Sequence, residues 1–339
     1  MNWCWIFTLA LVLIIAILIY LFFEKVVKTP YGKLNPIVAL ILIFLRIVRN
    51  ENKLDYKKMR KEAEFNGKIS QGKKPKLYDI EEIIMPETQG KLKARIYRPN
   101  NKEDNAVIVF YHGGGWAVCS LDTHDVLCRY LALKSNCTLV SVDYRLAPEN
   151  KFPTAINDAY DALIWINNNP KIIKADSSRI AVCGDSAGGN LSAAVSIMAR
   201  DKGFNKIKCQ VLLYPAVDMV HLDTPSYKMF AKGYGLLVKE MELFKEYYFS
   251  KPEDMYSPFA SPMLCNDHKN LPSTYIVTAQ FDVLRDEAEV YANVLKNAGN
   301  DVVLKRYDGM FHGFMCVGGL IKKAWIANEE VADYIKSKV

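Results

Sequence analysis

The sequence has only five histidines, and its eight cysteines (4, 119, 128, 137, 183, 209, 265, 316) include no CxxC pair and no zinc-site spacing. That excludes the common structural zinc motifs, and several of the thiols lie in apolar runs where a free cysteine behaves as a small hydrophobe. There is no internal repeat and no low-complexity tract, which rules out a repeat array. A general excess of positive charge is missing as well. The net +7 is concentrated between residues 24 and 76, with 14 basic and 5 acidic residues, leaving 30 basic and 32 acidic elsewhere. A protein that coats nucleic acid does not fit that distribution. What the chain does have is length and apolar content: 339 residues, half of them hydrophobic, which is too apolar for a disordered chain and enough for one large domain.

Residues 1–23 carry no charged side chain, and from Trp3 to Phe23 only Cys4, Thr8 and Tyr20 interrupt the apolar run. About 20 such residues span a hydrocarbon core of ~30 Å, so the run is expected to be a transmembrane anchor. A cleaved signal peptide would want a basic start, a shorter apolar stretch and a small-residue cleavage site, none of which is evident. Trp3, Trp5, Tyr20, Phe22 and Phe23 suit interfacial belts at the two ends. A second apolar run, 36–44, is too short to span and is expected to lie at an interface or pack on the body. Its surrounding cations, Lys25, Lys28, Lys33, Arg46, Arg49, Lys57, Lys58, Arg60 and Lys61, would serve either as headgroup contacts or as a solvated linker. The expected division is an anchor at 1–23, a basic juxtamembrane segment at 24–76 and a catalytic domain at 77–339.

From residue 77 onward the pattern turns α/β. Expected strands are 77–85, 91–97, 106–111, 138–144, 179–183, 209–214, 274–278 and 301–306. Expected helices are 123–134, 154–167, 187–200, 287–297 and 321–336. Short, continuously apolar strands alternating with helices imply a mostly parallel central sheet of about eight strands, covered on both faces. The first two strands have no helix between them, so the sheet should begin antiparallel.

Chemistry concentrates where strands end. The strand at 179–183 runs into Gly184-Asp185-Ser186-Ala187-Gly188-Gly189, a G-x-S-x-G turn followed by a small-residue helix. Glycines two before and two after Ser186 allow a strained turn that raises the hydroxyl at the sheet edge. After the strand at 106–111 comes His112-Gly113-Gly114-Gly115-Trp116. Here the N–H groups of Gly113 and Gly114, with that of Ala187, would make an oxyanion hole. A phosphate loop would need a lysine directly after its second glycine, and none is present. His112 is read as holding the loop rather than a metal. A hydroxyl nucleophile needs a base and an orienting carboxylate. His312 follows one predicted strand and Asp282 the strand before it, so both fall on the edge that carries Ser186. His268 sits in a polar turn, and Asp286, the competing acid, begins a helix where N-cap duty is expected.

Between 214 and 274 lie about 60 residues, far beyond an ordinary connection of ~4–6. The stretch 216–260 is expected to form a helical cap. Its Met219, Tyr227, Met229, Phe230, Tyr234, Phe244, Tyr247, Tyr248, Phe249 and Tyr256 would pack the cap and together line an apolar pocket, with 36–60 as the cap's other half. Arg145 and Glu149 are read either as an ion pair beneath the site or as surface residues, the two being equally compatible with the sequence.

These motifs in this order, together with Asp143-Tyr144-Arg145-Leu146-Ala147-Pro148-Glu149 and Asp282-Val283-Leu284-Arg285-Asp286, resemble the hormone-sensitive-lipase-like family of α/β-hydrolase esterases over residues 77–339. With the anchor, the chain is similar to the membrane-anchored arylacetamide deacetylase and neutral cholesterol ester hydrolase branch. The resemblance implies an α/β-hydrolase fold and a serine carboxylesterase acting on lipophilic esters, with Ser186, Asp282 and His312 as triad, membrane lipids as neighbours, and no metal or organic cofactor. It supports Asp282 over Asp286. Two other readings stand beside it: a neutral-lipid or sterol-ester lipase, and a non-catalytic hydrolase-fold receptor, which would typically have lost a triad member. The expected location is a single-pass membrane protein, in the endoplasmic reticulum for a eukaryote. The basic segment after the span predicts a cytosolic body, whereas the resemblance implies a lumenal one. Asn136-Cys137-Thr138 and Asn190-Leu191-Ser192 are formal glycosylation triplets.

Overall fold

The computed structural model describes residues 8, 12–14, 24–48, 55–86 and 88–339. The expected anchor, its aromatic belts, Cys4 and Arg49 lie outside these residues, apart from Thr8 and residues 12–14. Among the described residues no helix is long and apolar enough to cross a membrane.

A small hairpin, β1 (Lys28–Thr29) and β2 (Gly32–Lys33), leads into helices α1 (Pro36–Val48) and α2 (Tyr56–Ser70). The sheet strands are β3 (Asp79–Met85), β4 (Leu92–Arg98), β5 (Ala106–Tyr111), β6 (Thr138–Asp143), β7 (Asp176–Asp185), β8 (Ile207–Leu213), β9 (Ser273–Phe281) and β10 (Val302–Phe311). They form one eight-stranded sheet in the order β10-β9-β8-β7-β5-β6-β4-β3. Every pair is parallel except β3 with β4 and β4 with β6, so β4 alone runs against the rest. All six residues of β5 are buried, which explains its unbroken apolar sequence: a central strand covered on both faces has no solvent side to alternate with.

The covering helices are α3 (Asp125–Ser135), α4 (Thr154–Asn168), the short α5 (Pro170–Ile173), α6 (Ala187–Asp201), α9 (Arg285–Asn297) and α10 (Lys322–Lys338). α3 packs on α10. α6 packs on α4 and, through Ala193 and Ile197, shares a core with Ala288, Tyr291 and Leu295 of α9. Between β8 and β9 the long connection holds α7 (Pro225–Met229) and α8 (Val238–Tyr248).

Helix α1 buries Val38, Ala39 and Leu42 against the body while Ile37, Leu40, Phe44, Ile47 and Val48 stay exposed. It therefore packs on the body and still offers solvent an apolar face. Several of the basic residues there are engaged with protein. Arg46 Nη2 donates to the Gly233 carbonyl at 3.0 Å, and Lys28 pairs with Glu24. Arg60 is not a headgroup cation: its Nε donates to Ala117 O at 2.8 Å, its Nη2 to Ala147 O at 2.9 Å, and it pairs with Glu149 at 2.7 Å. Of the two readings of Arg145 and Glu149, the ion pair between them is therefore not formed. Arg145 instead clamps the buried Asp158 of α4 at 2.6 Å, and Arg60 of α2 takes Glu149.

Candidate active site

Ser186 sits between the end of β7 and the start of α6 with φ 55° and ψ −118°, a backbone conformation costing a side-chain-bearing residue ~1–3 kcal/mol. The strain is held by hydrogen bonds from Ser186 N–H to Leu213 O at 2.8 Å and from Asn190 N–H to Ser186 O at 3.0 Å. The flanking glycines are required by space. A β-carbon on Gly184 would stand 2.3 Å from Gly188 O, and one on Gly188 would stand 1.9 Å from Tyr111 O.

β10 ends one residue before His312 and β9 one residue before Asp282, so the sheet delivers both to the edge that carries Ser186. His312 Nε2 lies 2.9 Å from Ser186 Oγ, and its Nδ1 lies 2.7 Å from Asp282 Oδ2. The other Asp282 oxygen accepts the Leu284 N–H at 2.9 Å, which fixes the carboxylate. The ring of Tyr214 meets His312 edge-on at 5.0 Å. Asp286 has different work from the N-cap duty expected of it. Leu284 occupies the cap position of its helix, and Asp286 accepts the Ser226 N–H at 2.8 Å at the start of α7, tying the long connection to the body. His268 is bonded to Pro262 O and does not line the cavity.

The glycine loop departs from expectation at its first member. Gly113 N–H donates to Asp185 Oδ1 at 2.8 Å and so is unavailable to a substrate oxygen. Gly114 and Gly115 line the cavity, and their N–H groups find no acceptor among the described residues. Ala187 is the first residue of α6, where N–H groups have no intrahelical partner. The oxyanion donors the geometry offers are therefore Gly114, Gly115 and Ala187, shifted one residue along the loop. Next to them, Trp116 stacks on Tyr248 at 4.5 Å and 3°, locking the loop to α8.

Behind the serine lies a group that the sequence did not connect. His124 Nε2 is 3.0 Å from Asp185 Oδ1, both side chains being buried, and Cys316 Sγ is 4.0 Å from Asp185 Oδ2. Burial works against a charged imidazole, but the Asp185 carboxylate, with Cys316 beside it, holds His124 well above the usual histidine range. Burial likewise opposes ionisation of Asp185, yet His124 keeps its carboxyl below the ordinary value. His112 behaves oppositely: burial, then the nearby His124, push it down to about 4, so it is neutral. It stacks on Tyr144 at 4.4 Å, and Tyr144 Oη donates to His112 O at 2.7 Å. The only sequence signal for His124 was its place at a helix start. Nothing local points to a partner on β7.

A cavity of about 360 Å³ opens onto Ser186 and His312. Its apolar wall includes Leu45, Met59, Leu236, Phe244, Phe311 and Val317, with Glu62, Asn66 and Glu240 among the polar residues. Of the ten aromatic and Met residues expected to line it, Phe244 alone does so. Several of the others dock the connection onto the body, as where Tyr234 stacks on Phe281 at 5.4 Å, whereas Tyr256 is exposed. The N-terminal half of the lining extends past Arg60 to Ser70. Asn190 is buried, donating to Ala216 O and Ala260 O, while Asn136 is exposed.

A family profile described as alpha/beta hydrolase fold matches residues 108–316. An arylesterase of Saccharolobus solfataricus is 40% identical over 227 residues, covering 66% of this chain and 73% of the relative. An ethyl acetate hydrolase of Pseudomonas putida is 32% identical over 302 residues, 86% of this chain and 95% of the relative. Among solved structures, a hyperthermophilic esterase from the archaeon Pyrobaculum calidifontis superposes with a TM-score of 0.86 at 42% identity, covering 90% of this chain and 98% of that one.

Proposed function

The chain belongs to the alpha/beta hydrolase fold family, and on that premise we propose that it hydrolyses uncharged, lipophilic carboxylic esters through an acyl-enzyme on Ser186. It is a carboxylic ester hydrolase. The observation that carries the mechanism is the continuous relay from Ser186 Oγ through His312 to Asp282, with contacts of 2.9 and 2.7 Å. His312 Nε2 takes the serine proton as Oγ attacks the ester carbonyl, and Asp282 holds the imidazole in the tautomer that accepts it. The N–H groups of Gly114, Gly115 and Ala187 receive the developing oxyanion, single donors of this kind being worth ~3 kcal/mol. His312 then protonates the leaving alcohol, and water repeats the cycle on the acyl-enzyme.

The cavity lies near the lower end of the ~300–1,000 Å³ usual for small-molecule sites. Short and medium acyl or alcohol groups fit within it, which weighs against complete enclosure of a sterol ester. The exposed apolar face of α1 beside Leu45 supports drawing substrate from a lipid phase. It also supports our reading of 1–23 as a single membrane anchor, of membrane lipids as neighbours and of the chain as a member of the arylacetamide deacetylase branch. Full-length protein in detergent, given p-nitrophenyl esters of graded chain length, is expected to show Ser186-dependent turnover that falls for the longest chains. Absence of Ser186-dependent turnover at every length would refute the mechanism. Protease protection of intact vesicles decides on which side the body lies.

A further inference from the structure

We propose that His124, Asp185 and Cys316 form a binding site for a borderline-soft divalent cation of the zinc type, and that its occupancy inhibits the enzyme. None of the three takes a chemical step in the relay of Ser186, His312 and Asp282. They come from three separate parts of the chain: the start of α3, the end of β7 and the turn after His312. Their donor atoms nevertheless lie within 4.8 Å of one another.

The donor set is one imidazole nitrogen, one carboxylate oxygen and one thiol sulfur. Zinc takes such ligands at ~2.0–2.3 Å, and with three protein ligands it retains a fourth, open position. Bringing the three donors onto one cation needs side-chain movements on the order of 1 Å, judged from those bond lengths. The outer contacts are already those of a ligand set. Thr123 Oγ1 lies 2.8 Å from His124 Nδ1, which directs Nε2 toward Asp185, and the Gly113 N–H anchors Asp185 Oδ1. Such second contacts orient ligands and tune affinity. All three residues line the cavity that contains Ser186 and His312, so the substrate route is also the cation's route.

On binding, the Cys316 thiol and the His124 Nε2 each give up a proton to solvent, and the sulfur and nitrogen lone pairs pass to the cation. A cation there would occupy the cavity that Ser186 and His312 share with the three donors. It also draws on Asp185, whose carboxylate holds Gly113 and, through it, the oxyanion loop.

The test uses the full-length enzyme in detergent with zinc chloride and cobalt chloride as probes. Zinc is expected to inhibit ester hydrolysis reversibly, with activity restored by a chelator. Cys316→Ala, measured against its own zinc-free rate, should need at least ~10-fold more zinc for the same fractional inhibition. Cobalt should give a near-ultraviolet thiolate-to-metal charge-transfer band that Cys316→Ala abolishes. Inhibition of Cys316→Ala at the wild-type zinc concentration would place the cation on His312 instead and overturn the proposal. So would a cobalt complex of the wild type without the thiolate band, a readout that needs neither the variant to fold nor the ester to turn over.

Discussion

Gly113 gives its N–H to Asp185 Oδ1 at 2.8 Å, so the residue just before the nucleophile holds the loop that faces it. The first glycine is thereby an anchor, and the second and third are the donors proposed for the oxyanion. Asp185→Ala is expected to lower kcat of p-nitrophenyl ester hydrolysis by ~10²-fold, the scale of losing one oxyanion donor, while leaving KM much less affected. An equal loss in KM alone would show that the anchor serves binding rather than the transition state.

The relay itself makes a sharper expectation. Ser186→Ala should abolish turnover and labelling by a fluorophosphonate probe. Asp282→Asn should reduce kcat by about 10⁴ through loss of the imidazole's correct tautomer. Asp286→Asn, which weakens the tie to Ser226 and the ion pair with Arg285 but leaves the relay intact, should remain within ~10-fold of wild type. If Asp286→Asn were the more damaging of the two, the assignment of the acid would be reversed.

Gly188→Ala puts a β-carbon 1.9 Å from Tyr111 O, with His112 O at 2.7 Å as the next obstacle. Both obstacles are backbone and cannot swing aside. The substitution is expected to destabilise the fold by about 3 kcal/mol or more, as overpacking and backbone displacement combine. Thermal unfolding should show a large drop in Tm together with loss of probe labelling.

Arg60 fastens α2 over the cavity through two carbonyls and Glu149. Arg60→Ala should raise KM several-fold with a smaller change in kcat, and cost about 1.5–3 kcal/mol per lost charged hydrogen bond at most. Arg60→Lys should not restore the wild-type KM, since a point charge cannot reproduce the planar fork. Kinetics on the three proteins with one short-chain ester would settle this.

Glu287 is buried on α9 and accepts the N–H groups of Val217 at 2.7 Å and Asp218 at 3.3 Å. Burial pushes its carboxyl up to about 8, despite those donors. The folded state therefore holds a proton that the unfolded chain releases near the ordinary value of 4.5. This group's contribution is intact below that value and is lost as pH rises toward 8, by up to about 1.4 kcal/mol per pH unit. Glu287→Gln should remove the slope. Unfolding midpoints from pH 5 to pH 9 should show the variant gaining on wild type until about pH 8 and running parallel above it.

All eight sheet strands were legible in the sequence: the central parallel strands, buried on both faces, read as short unbroken apolar runs, and the part-exposed edge strands β3 and β10 as β-branched residues set among charged ones. Their ends were less so. β7 and β10 run several residues beyond the apolar stretch, where pairing with a neighbour rather than composition sustains them. The hairpin at 28–33 and helix α7 left no periodic signal at all, being two-residue strands and a five-residue helix.

By itself the sequence determined the elbow, the glycine loop and the strand-end positions of Asp282 and His312, because each is a local matter of backbone freedom and hydrophobic run length. Only the tertiary structure decided which glycine N–H faces the cavity, that Arg60 and not Arg145 takes Glu149, and that His124, Asp185 and Cys316 meet. Hydrogen-bond partners are chosen by sheet order and register across long stretches of chain, 126 positions in the case of Ser186 and His312. A side chain's neighbours at that separation are a property of the packed fold, and no local pattern of residues encodes them.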